Sequence, residues 1–65
     1  MKINRLKIVL AENDKTNRWL AEQLGKSEVT VSRWATNEVQ PSLETMGQIA
    51  QVLKIDIKEL LNSTI

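Results

Sequence analysis

Gly25 and Ser27, two residues apart, separate two short segments whose apolar residues recur at helical spacing. In the first, residues 17–24, Leu20, Ala21 and Leu24 share one face. In the second, residues 28–36, Val31, Trp34 and Ala35 do the same. Gly25 fits a helix end with positive φ, a conformation cheap only for glycine. Ser27 supplies a hydroxyl to cap the next helix. Neither apolar face is long enough to bury itself alone. The two helices must therefore pack on each other and on the rest of the chain.

The face left over is unusual. On a helical wheel, Val29, Ser32, Arg33 and Thr36 point away from Val31, with Glu28 at the N-terminal end. A purely solvated helix more often carries Glu and Lys at i, i+4 spacing. This face combines one cation, one anion, two hydroxyls and one small branched apolar group. Such short hydrogen-bonding and methyl-bearing side chains suit the base edges of a DNA major groove.

The remaining chain limits what else is possible. Sixty-five residues make one domain, residues 1–65, with the helix pair at about 16–37. A chain this small buries only about 60% of its unfolded surface, so its core is small and its stability marginal. It has no Cys and no His, which removes disulfides, thiolate metal sites and nitrogen-ligated zinc. With no Tyr either, acid–base or nucleophilic catalysis lacks its usual groups, and no cofactor is implied. The longest apolar run is four residues, 8–11, far short of a membrane span or a secretion signal. Together these features point to a cytoplasmic, non-enzymatic protein.

Net charge is +1, but its distribution is uneven. Residues 1–34 carry seven Lys/Arg against four Asp/Glu, a balance of +3, and residues 35–65 carry −2. The positive half contains the helix pair, and a nucleic-acid surface needs local rather than global charge.

In chain order, residues 2–12 read as helix one, with Ile3, Leu6, Val9 and Leu10 on one face. Thr16 caps helix two. Trp19 falls at the edge of that helix's apolar face, as a half-buried ring over a seam, and Trp34 at the centre of the next. Pro41 disfavours helix at Gln40, so residues 38–41 read as a loop. Ser42 caps helix four, whose stripe is Leu43, Met46, Ile49, Ala50 and Leu53. Gly47 in its middle implies a close helix approach. Asp56 and Glu59 form a capping box for a last short helix. Leu60 and Leu61 then close the core, and residues 62–65 fray. The expected fold is all-α, a compact set of five helices.

The pattern Thr16, Leu20-Ala21, Gly25, Ser27, Val31-Ser32-Arg33-Trp34 and Pro41-Ser42-Leu43-Glu44-Thr45, closing with Ile49-Ala50, Leu53 and Leu60-Leu61, resembles the phage-repressor and Cro-type (XRE-like) helix-turn-helix family. The resemblance covers essentially the whole chain. It implies a five-helix repressor-like DNA-binding domain in which helices two and three form the helix-turn-helix. Residues 28–36 would be the recognition helix. The expected partner is double-stranded DNA, bound as a symmetric dimer on a pseudo-palindrome with half-sites about 34 Å apart.

The resemblance also implies roles for individual residues. Arg33 would donate to guanine O6 and N7, Glu28 would accept from cytosine N4, Val29 would touch a thymine methyl, and Ser32 would serve either base. Asn17 matches a phosphate-contacting position, and Ser27, Thr30 and Asn37 sit where short polar groups often do the same. Arg18 and Lys26 add charge nearby. Three departures from the family pattern stand out. A frequent Arg–Glu pair is replaced by Leu10 and Ala35, both apolar, which strands no charge. Lys15 and Lys26 replace apolar residues. Asn37 replaces a frequent Gly and tolerates positive φ. Ile57, Leu61 and Ile65 lie where such proteins self-associate. The weak net charge, with Glu28 on the outward face, leaves a second class open: a protein-interaction module, antitoxin-like or adaptor, that keeps the fold without DNA.

Overall fold

A computed structural model describes residues 3–61. It contains four α-helices: α1 (Leu6–Glu12), α2 (Asn17–Leu24), α3 (Glu28–Ala35) and α4 (Leu43–Leu53). A single 3-10 turn, Ile57–Leu60, follows. The expected fifth helix is thus one tight turn. Asp56 and Glu59 form the capping box as expected. Leu61 then becomes extended and pairs antiparallel with Asn4, so its backbone does not continue into an i→i+4 ladder. This isolated bridge is the only β pairing among the described residues.

The same pairing shortens the first helix. The spacing predicts helix from residue 2, yet α1 starts at Leu6. Arg5 N–H donates to Leu60 O at 2.8 Å, and Leu6 N–H donates to the side-chain oxygen of Asn4 at 3.0 Å. Ile3 therefore leaves the apolar stripe and is 45% exposed, while Leu6, Val9 and Leu10 are buried as their spacing predicts. Lys2, Ile65 and the expected fraying of residues 62–65 lie outside the described residues.

Each of the next three helices begins with the cap its sequence specifies. The hydroxyls of Thr16, Ser27 and Ser42 accept from the backbone N–H groups of Trp19, Thr30 and Thr45. α2 ends at Gly25 with φ +67°, and Lys26 N–H closes back onto Ala21 O at 3.0 Å. α3 stops at Ala35, with Thr36 as its cap, one residue earlier than the apolar spacing indicates.

The core is built from Leu6, Leu20, Val31, Ile49 and Leu60, all fully buried, with Trp34 and Met46 around them. α2 and α3 share the most extensive packing of any pair. Trp19 is half-buried against this core, as its wheel position predicts. Besides Ile3, two more residues expected in the core are exposed. Leu43, 75% exposed, is the first residue of α4, where no element lies opposite. Leu61, 41% exposed, is turned out by its extended backbone.

Gly47 also differs from its expected role. A Cβ built there meets nothing within 4 Å, so no close helix approach requires glycine. Gly47→Ala is therefore expected to stabilise the protein by about 1 kcal/mol through helix propensity alone. For a domain of this size, thermal unfolding followed by circular dichroism should show a midpoint about 4–8 °C higher. An unchanged or lower midpoint would mean that the site is tighter than its geometry indicates.

Candidate nucleic-acid interface

α3 turns its apolar side, Val31, Trp34 and Ala35, into the core. Its other side is open. Glu28, Val29, Ser32 and Arg33 line one surface depression, so the four residues expected to face base edges are brought together. Val29 is 69% exposed, so its methyl groups are accessible from outside the protein. Their register comes from two local devices. Ser27 caps the helix start. At the other end Asn37, with φ +63°, reverses the chain so that Glu38 N–H bonds Arg33 O at 3.0 Å.

That reversal has an electrostatic consequence. It brings the Glu38 carboxylate to 3.5 Å from the Arg33 guanidinium, with both side chains more than half exposed. A surface pair of this kind contributes about 0–1 kcal/mol, so Arg33 remains free to exchange it for another acceptor. Glu38 was not among the expected site residues. Five positions separate it from Arg33, a spacing that does not bring helical side chains together; only the left-handed Asn37 does so.

The residues expected to contact phosphate fall into three groups. Asn17 and Arg18 occupy the first turn of α2, Asn17 half-exposed and Arg18 exposed. Lys15 precedes them, its ammonium 4.7 Å from the centre of the Trp19 ring. This cation–π contact steers Lys15 along the start of α2. Lys26, Ser27 and Thr30 gather at the turn between α2 and α3. The Ser27 and Thr30 hydroxyls are 2.9 Å apart, and one of their two hydrogens remains available to an outside acceptor.

Asn37 is different. Its side-chain oxygen accepts from Ile3 N–H at 2.8 Å and Asn4 N–H at 2.9 Å, and its Nδ2 donates to Asn4 O at 3.1 Å. Asn4, 3% exposed, in turn donates from Nδ2 to Trp34 O at 3.0 Å and to Gln40 Oε1 at 2.8 Å. Asn4, Asn37 and Gln40 thus form a partly buried network that ties the N-terminal segment to the end of α3. Buried amides bonded on both sides fix geometry, because a broken member leaves an unpaired polar group. The network accompanies the apolar pair Leu10 and Ala35, both buried. Nothing in the spacing of Asn4 and Asn37, thirty-three residues apart, marks them as partners.

The chain matches the helix-turn-helix family model over residues 6–60, a span that includes every helix described above. A crystal structure described as that of "a putative DNA-binding protein from Bacteroides fragilis" is 55% identical in sequence. The match covers 92% of this chain and 97% of that one, with a TM-score of 0.91. No curated protein matches the sequence.

Proposed function

The chain belongs to the XRE-type helix-turn-helix family, and from that premise we propose that it regulates transcription by reading double-stranded DNA with α3 in the major groove. The observation that carries this is the α3 face: Glu28, Val29, Ser32 and Arg33 share one open depression while the opposite side of the helix fills the core. Arg33 donates to guanine, Glu28 accepts from cytosine, Val29 meets a thymine methyl, and Ser32 bonds either base. Asn17, Arg18, Lys26, Ser27 and Thr30 hold the flanking phosphates. Asn37 has one side-chain N–H left for the same use.

Residues 1–65 act as one unit in the cytoplasm, as a repressor bound to a pseudo-palindrome as a symmetric dimer. Leu61, exposed, and Ile57, half-buried, are the apolar groups that support self-association. Selection from random duplex DNA tests this, with affinity then followed through Trp fluorescence at two salt concentrations. An enriched inverted repeat, bound more weakly at higher salt, is the expected result. Failure to enrich any sequence would refute base reading. The Glu38 carboxylate beside Arg33 favours a second reading, a protein-interaction module without DNA. Under it, Arg33 serves the fold's surface rather than a base.

A further inference from the structure

A second depression lies at the C-terminal end of α3. It measures about 250 Å³ and is lined by Arg5, Lys7 and Ile8 on one side and by Ala35 and Thr36 on the other, with Asn4 and Asn37 between them in the network already described. Two of these side chains are cationic and none is a carboxylate. Lys7 is exposed and has no ion-pair partner among the described residues. Arg5 donates one guanidinium N–H to Glu59 O at 3.3 Å, which leaves its other donors available.

Position decides what this depression meets. Thr36 continues the outward face of α3, seven residues beyond Val29, or about 10 Å along the helix axis. A recognition helix inserts its N-terminal residues toward the bases. Residues about 10 Å further along that helix lie beyond those that reach the base edges, toward the flanking sugar–phosphate backbone. An anion arriving there faces +2 of charge with no acidic neighbour in the depression. Glu38, the nearest acidic residue in sequence to Thr36, does not line the depression.

We infer that the Arg5–Lys7–Thr36 depression is a backbone-phosphate site, formed between α1 and the end of α3, that clamps the DNA strand where the recognition helix leaves the groove. The inference rests on the DNA-reading role proposed above. It adds α1 to a contact surface otherwise made by α2, α3 and the turn between them. Ile8, 51% exposed on the same rim, would lie against the sugar.

The test is the salt dependence of binding to a selected duplex, measured for the intact chain and for Lys7→Ala. Lys54→Gln, at the C-terminal end of α4, removes the same charge away from the depression. Each phosphate neutralised contributes about 0.9 to the slope of log affinity against log salt. Lys7→Ala should reduce the slope by about that amount, so that the loss of affinity between 50 and 200 mM salt shrinks by about 3.5-fold. Its sequence preference should be unchanged, and Lys54→Gln should keep the full slope. If the intact protein binds a selected sequence and Lys7→Ala leaves the slope unaltered, the phosphate site is refuted while the reading of bases by α3 stands. If the intact protein shows no salt-sensitive binding at 50 mM salt, both fall together.

Discussion

Leu20→Ala is expected to unfold a substantial share of the protein at physiological temperature. Leu20 is completely buried and sits in the α2–α3 packing that also buries Val31. Truncating a buried leucine costs about 2–5 kcal/mol, through lost transfer energy and the cavity left behind. A chain of this length has only about 3–10 kcal/mol in total, at roughly 0.05–0.15 kcal/mol per residue. The helix-turn-helix cannot relax locally to refill the space, because Thr16, Gly25 and Ser27 fix both ends of the turn. Urea unfolding should show a much lower midpoint. Leu43→Ala is the matched comparison: the same atoms are removed from a side chain 75% exposed. Its effect should stay within about 0.5 kcal/mol. Equal midpoints for the two variants would contradict the packing described here.

Arg33→Ala should weaken binding to the selected operator by about 1–3 kcal/mol, roughly 5- to 150-fold, if the arginine makes a bidentate contact to guanine. The loss should be largest on the preferred sequence and small on unrelated DNA, because a base contact carries sequence information and a phosphate contact does not. Folding stability should change little, since the only ion pair removed is the exposed one to Glu38. This outcome differs in kind from that expected at Lys7, where the salt slope changes and the preference does not. Retention of full affinity and preference in Arg33→Ala would displace α3's last turn from the bases. It would favour the reading in which this face meets a protein.

Much of this molecule is legible residue by residue because the rules involved are local. A hydroxyl at Thr16, Ser27 or Ser42 reaches a backbone N–H three residues on, whatever the rest of the chain does. Gly25 ends α2 by its own φ preference. The stripe Val31, Trp34, Ala35 defines an inside for α3, and so it also defines the outward set Glu28, Val29, Ser32, Arg33. The misplaced core assignments fall at the ends of elements, and the one at Gly47 falls in mid-helix. Ile3 and Leu43 obey a helical spacing at its first position, and Leu61 follows the last turn; at such ends burial depends on whether another element lies opposite. Gly47 was misread because its spacing cannot report the empty space around it.

The sequence by itself determined α2, α3 and α4 with their caps, the sharp turn between α2 and α3, and the side of α3 that faces outward. Each follows from interactions spanning about four residues, whose geometry the backbone dictates. Only the tertiary structure decided that the segment before α1 meets the residue after the 3-10 turn. Asn4 pairs with Leu61, and this pairing shortens α1 and reduces the last helix to a single turn. It also decided that Asn37 serves the N-terminal segment, that its left-handed backbone sets Glu38 against Arg33, and that Lys7 and Thr36 share one depression. These are contacts between residues distant in sequence or joined by a single reversed peptide. Their formation depends on how packed elements close around a common core, which no periodicity within one segment encodes.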